Sequence, residues 1–123
     1  MQHENDAAFT ATEEVAIATL DEYCTHHQII PNFLKVDVEG NELNVFKGGI
    51  NTLTKYRPKI IVEIEARHIG EAQVVATIQF LTSLGYQGKF VYGNALVPVA
   101  EFSFEKYQDV KNKADYCNNF IFE

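Results

Sequence analysis

The segment NFLKVDVEGNELNVFKGG, residues 32–49, constrains the fold more than any other part of the chain. Phe33 to Val38 is too short and too continuously apolar on one side to be a helix, and Gly40 punctuates its end, so it reads as a strand. Side chains alternate along a strand, which puts Leu34, Val36 and Val38 on a buried side and Lys35, Asp37 and Glu39 on the other. Beyond it, Leu43, Phe46, Ile50 and Leu53 recur at helical spacing, one face of a helix that begins at an Asn41 N-cap. Gly48 and Gly49 each weaken that helix by roughly 1 kcal/mol relative to Ala, so keeping both implies a close backbone contact.

The pattern then repeats. In RPKIIVEIEARH, Pro58 opens an extended segment, Ile60 to Ile64 is β-branched, and Glu63 and Glu65 sit at its C-terminal end. A second helix is expected from about Glu71 to Leu84, with Val74, Ile78, Leu81 and Leu84 on one stripe and Gly85 in the C′ position. GKFVYGNALVPV reads as one or two strands around a Gly93-Asn94 turn, and NNFIFE closes the chain as a last strand. Upstream, residues 1–14 are polar, acidic and aperiodic, and read as a flexible lead-in. VAIAT, residues 15–19, is β-capable, and TLDE has the form of a capping box, Thr19 as N-cap and Glu22 reaching back, so a helix of about two turns begins at Leu20.

Strand and helix therefore alternate, and the chain finishes on a return strand. The crossovers are long enough for parallel βαβ connections, which gives an α/β open sheet with helices on its faces, one domain over residues 15–123. A chain of 123 residues suffices for one core and not for two. In such sheets ligands bind outside the carboxyl ends of the strands, and here those ends carry Asp37, Glu39, Glu63 and Glu65.

Charge narrows the partners. Seventeen acidic residues against ten basic ones leave a formal charge of -7, with no Lys or Arg before Lys35. Nucleic acid and anionic membranes are held mainly through Lys and Arg, so neither is an expected partner. Residues 1–10 have neither the basic start nor the apolar core of a signal peptide, and no apolar run reaches membrane-spanning length; the expectation is a cytoplasmic protein. Cys24 and Cys117 are far apart and form no C-x-x-C, as expected of free thiols in a reducing compartment.

Among the acids, Asp37 and Glu39 lean towards function, because an acid within a buried parallel strand needs a partner. Glu65 reads as a solvated strand-end glutamate whose removal does little. His68 is a base or hydroxyl-orienting candidate that fits a lone surface histidine better, and His26 and His27, being adjacent, do not face one ligand. Clustered carboxylates suit Mg²⁺ or Ca²⁺, but no metal site is assigned from spacing alone.

VAIATLDEYC, FLKVDVEGNELNVFKGGINTL, RPKIIVEI and FLTSLGY, in that order, resemble the C-terminal half of the FkbM-type S-adenosylmethionine-dependent methyltransferases. The D-V-E-G-x-E-x-x-V-x-K-G core carries most of this, over residues 15–86. The resemblance implies a partial Rossmann-like sheet, mostly parallel with an antiparallel last strand, and methyl transfer from S-adenosylmethionine to an acceptor hydroxyl on a sugar or polyketide-like molecule. Asp37, Glu39 and Glu63 would be the catalytic acids, with Asp37 and Gly40 against the cofactor. No arrangement of the glycines gives a G-x-G loop after a first strand, and the residues before Val15 cannot hold three strands. The N-terminal cofactor-binding half is thus expected to be lacking, and S-adenosylmethionine to bind this chain weakly or not at all.

Two further readings compete. One is a non-catalytic truncated α/β domain that self-associates: without a first strand the outer edge of Phe33 to Val38 is unpaired, and a homodimer along that edge, or VAIAT folded back onto it, would cover it. The other is a receiver domain, which needs an acidic pair after its first strand and a Lys-Pro after a later one; the chain has neither.

Overall fold

The architecture comes from a computed structural model, which describes residues 11–123. The lead-in expected over residues 1–14 lies mostly outside the described residues. The elements follow in the order α1 (Leu20–His27), β1 (Phe33–Val36), α2 (Glu42–Lys47), α3 (Ile50–Tyr56), β2 (Lys59–Glu63), α4 (Ala66–Ile69), α5 (Glu71–Ser83), β3 (Gly88–Tyr92), β4 (Ala95–Pro98), a 3-10 turn (Val99–Glu101), α6 (Phe104–Tyr107) and β5 (Asn119–Phe122). The five strands form one mixed sheet in the order β1-β2-β5-β3-β4.

Among the described residues only β1 and β2 pair in parallel, with Val36 opposite Val62; the other three pairings are antiparallel. A mostly parallel sheet was the expectation, and the correction has a simple cause. The returning β5 slots between β2 and β3, so both its ladders are antiparallel although β2 and β3 run the same way, and the Gly93-Asn94 turn adds the β3-β4 hairpin. Gly93 takes φ +58°, the left-handed conformation such two-residue hairpin turns demand.

Registered neighbours share a sheet face, and one face is the core. Val36, Ile60, Val62, Phe90, Phe120 and Phe122 lie on it, and the apolar sides of α2, α3 and α5 meet it through Phe46, Leu53, Val74 and Leu81. The opposite face has exposed Phe33, Lys35 and Lys59 and half-buried Ile61 and Ile121, so among the described residues the helices cover one face rather than both. Rings from Phe90, Phe102, Tyr107 and Phe120 pack edge-on and tilted at 4.7–6.3 Å beneath β3 and β5.

The expected capping box is formed: Thr19 Oγ1 accepts from the Glu22 amide and Glu22 Oε1 accepts from the Thr19 amide. VAIAT, by contrast, forms no strand; Ile17 is 96% exposed and the outer edge of β1 has no partner strand among the described residues. The glycine pair divides the expected helix into α2 and α3. A Cβ on Gly49 would come within 2.6 Å of Leu20 Cδ2 and one on Gly48 within 3.1 Å of Thr19 Cβ, which is the close contact that both glycines permit. Ile50, just past the break, turns outward instead of into the core. Asn41 precedes α2 as expected, but its side chain accepts from Asn44 Nδ2 rather than capping the backbone. At the far end of α5, Gly85 at φ +94° lets the Gly85 and Tyr86 amides donate back to Thr82 and Leu81. Among the described residues no helix is long and apolar enough to cross a membrane.

Candidate functional site at the carboxyl ends of β1 and β2

The parallel ladder aligns the ends of its two strands. Val36 pairs with Val62, so the residues that follow, Asp37 and Glu63, leave adjacent strands at the same level. The strand stops earlier than the sequence suggests: Asp37, Val38 and Glu39 lie beyond it, exposed, and the expected burial of Val38 is not observed. Asp37 is therefore a rim acid and not an acid inside a buried strand.

The chain turns sharply here. Glu39 at φ +48° and Gly40 at φ +108° are both left-handed, a conformation costly for a glutamate, and the turn is clamped from below. Glu42, only 1% exposed, accepts the Gly40 amide through Oε2 at 2.8 Å. A Cβ on Gly40 would sit 3.1 Å from Ile69 Cγ2, so the turn after β1 rests on α4, the turn after β2. The two strand ends are held as one unit.

A second buried carboxylate is one that the sequence pattern assigns to solvent. Glu65 is 3% exposed, accepts from Arg67 Nε at 2.8 Å and Nη2 at 3.3 Å, accepts from the Tyr116 hydroxyl, and lies 3.4 Å from His68 Nε2. His68 is thus a neighbour of Glu65 and not a lone surface histidine. Gln108 fixes this loop: Nε2 donates to the Ile64 carbonyl at 2.7 Å and to the Cys117 carbonyl at 3.1 Å, and Oε1 accepts from the Ala66 amide at 2.7 Å. Tyr116 and Gln108 come from 51 and 42 residues away, which no local pattern discloses.

The family model described as the methyltransferase FkbM domain matches residues 2–87. The chain belongs to that family. No curated protein and no solved structure matches it. The matched stretch of this FkbM-family chain holds Asp37, Glu39, Gly40, Glu42, Glu63 and Glu65, and it stops before Gln108, Tyr116 and Asn118, which meet the Glu65 loop from outside it.

Two acids two residues apart have opposite electrostatics. Partial burial of Glu63, then the charges of Asp37, Glu65 and Glu39, push its carboxyl above the usual range. Burial acts on Glu65 in the same direction, but hydrogen bonds from Arg67 and Tyr116 and the Arg67 charge outweigh it and hold that carboxyl below its ordinary value. Tyr116, half-buried and bonded to a carboxylate, is pushed up to about 12. Among the described residues no three His, Cys, Asp or Glu side chains are arranged to hold a metal ion.

Proposed function

We propose that the joined ends of β1 and β2 are the reaction edge of an S-adenosylmethionine-dependent O-methyltransferase acting on a hydroxyl. The observation that carries this reading is the set of acids Asp37, Glu39 and Glu63, gathered without ion-pair partners among the described residues at the carboxyl ends of two parallel strands in an FkbM-family chain. The strand order β1-β2-β5-β3, with an antiparallel strand between two of common direction, favours a Rossmann-like methyltransferase sheet.

The donor chemistry of the edge fits one end of the cofactor. S-adenosylmethionine carries a sulfonium and an ammonium, and a rim of mutually repelling carboxylates is relieved by cations. Asp37 and the Gly40 turn would hold that end, and the group supplies an electrophilic methyl when bound. Among the described residues no glycine-rich strand-turn-helix faces this edge, so the fit covers the cationic end alone. Glu63, with its raised affinity for protons, is suited to take the proton of an acceptor hydroxyl, and a base matched to the working pH is worth roughly 10²–10⁴-fold in rate.

The test is an amide-shift titration of the labelled chain, which reads even millimolar binding. S-adenosylmethionine should shift residues 37–40 and Glu63 saturably, S-adenosylhomocysteine less so because it lacks the sulfonium charge, and Asp37→Asn should abolish the difference. Shifts confined to other parts of the chain would overturn the assignment.

A further inference from the structure

A second feature lies beside the reaction edge, on the other flank of Glu63. Glu65, Arg67, Val110, Lys113, Tyr116 and Asn118 line an open depression of about 420 Å³ between the end of β2 and the loop leading into β5. Its charge runs against the rest of the molecule. The chain carries a formal charge of -7, yet this depression places two cations together, and only one is matched by an acid: Arg67 pairs with Glu65, while Lys113 is in no ion pair among the described residues. The Arg67 side chain remains 56% exposed after that pairing, and its Nη1 makes no hydrogen bond among the described residues.

Several independent details give the depression the character of a recognition surface. Glu65 is held by Arg67 and by the Tyr116 hydroxyl, so the guanidinium is fixed by two-point contact rather than free to swing. Gln108 anchors the same loop through three hydrogen bonds. Val110, 55% exposed, adds one apolar wall to the depression. Glu63 lies within electrostatic reach of both neighbourhoods, feeling Asp37 and Glu39 on one side and raising the proton affinity of Arg67 and Tyr116 on the other.

We propose that this depression seats the methyl acceptor, and that the acceptor is a hydroxylated molecule bearing an anionic group, carboxylate or phosphate, held by Arg67 and Lys113. The proposal rests on the reading of β1 and β2 as the reaction edge, and it names the substrate class. Charge is then apportioned along one edge: acids where the cationic donor sits, cations where the anionic acceptor sits, and Glu63 adjoining both to receive the hydroxyl proton. The anion selects the molecule and sets its orientation, and Tyr116 acts through Glu65 as a positioning residue.

The experiment titrates the full chain, without donor, with glucuronate, glucose 6-phosphate and glucose, following backbone amide shifts at two salt concentrations. The expected result is saturable shifts at Val110, Lys113 and Asn118 with one or both anionic sugars, binding at least roughly tenfold weaker for glucose, and weakening as salt rises. A response to glucuronate alone assigns the anion as a carboxylate, and a response to glucose 6-phosphate alone assigns it as a phosphate. Lys113→Ala, an exposed change that leaves the fold intact, should reduce anion binding roughly tenfold, and Arg67→Lys should reduce it while keeping a charge beside Glu65. Equal affinity for glucose and both anions, no binding by any of the three, or anion shifts that Lys113→Ala leaves untouched, would overturn the proposal. Because no donor is present, its failure leaves the donor shifts at residues 37–40 unaffected, and failure of those leaves the anion result standing.

Discussion

Replacing Gln108 by alanine would unseat the loop that carries Glu65, and the structure sets the size of the effect. Three hydrogen bonds at 2.7, 2.7 and 3.1 Å disappear, and they leave the Ile64 and Cys117 carbonyls and the Ala66 amide without that partner in a site where Gln108 itself is only 9% exposed. At roughly 1 kcal/mol for each buried group so deprived, Gln108→Ala should cost about 3 kcal/mol. Urea unfolding reads this directly: with a slope of about 1.5 kcal/mol per molar, the midpoint falls by about 2 M and the slope itself stays put. Gln108→Glu sharpens the test, because it keeps an acceptor for Ala66 and loses both donors. The introduced carboxyl faces two carbonyl oxygens, so its proton affinity rises on folding; stability is present below its unfolded pKa and is lost as pH rises through the folded value. That variant should unfold easily at pH 7 and recover in part near pH 5. A stability for Gln108→Ala within about 0.5 kcal/mol of the parent would mean that the loop is held by something other than this side chain.

Three other outcomes follow from the same geometry. Glu63→Gln removes a carboxylate that Asp37, Glu65 and Glu39 repel, so thermal unfolding at pH 7 should show a gain of about 0.5 kcal/mol, and a loss would mean that a cation balances Glu63. Tyr116 ionises at about 12 in the folded chain against 10.0 for an unperturbed tyrosine; its stabilisation is whole below pH 10 and fades as pH rises to 12, a slope that Tyr116→Phe should remove from alkaline unfolding curves. Gly49 is the N-cap of α3, where glycine is preferred to alanine, and a Cβ on it would meet Leu20 Cδ2 at 2.6 Å, so calorimetric unfolding of Gly49→Ala should show a loss of about 1 kcal/mol; a gain would mean that α1 yields freely.

What the sequence disclosed is what is decided within a few residues. The capping box at Thr19, the turn at Gly93, the C′ glycine at position 85 and the contact implied by Gly48 and Gly49 are local chemistry, and each appears where the pattern puts it. The alternation of β1 is legible, but its length is not: the pattern carries the strand through Asp37 to Val38, whereas it ends at Val36 and the left-handed Glu39 and Gly40 bend the chain away. The parallel bias came from counting crossovers, which cannot reveal that β5 inserts between β2 and β3. The burial of Glu65 is the feature least legible in the sequence. Glu63 and Glu65 look equivalent in IVEIEAR, and only Arg67, two residues on, hinted that one of them has a countercharge; Tyr116 and Gln108, which complete its surroundings, are separated from it by most of the α5-β3-β4 region.

That difference between Glu63 and Glu65 also divides their work. A carboxylate held below its usual range by a guanidinium and a phenol stays ionised across the physiological span, makes no demand on a substrate proton, and serves to fix the groups bonded to it. A carboxylate raised by burial and by neighbouring acids sits closer to its transition, so a small change of field, such as a cation arriving beside Asp37 and Glu39, moves its proton affinity. Under the reading of this edge as a methyltransferase site, donor binding would lower the proton affinity of Glu63 and leave it ionised when an acceptor hydroxyl arrives. The carboxyl resonance of Glu63, followed through a pH titration with and without S-adenosylmethionine, measures this: a shift to lower pKa on binding supports the coupling, and an unmoved titration curve beside saturated shifts at residues 37–40 would mean that the donor charge sits too far from Glu63 to prepare it.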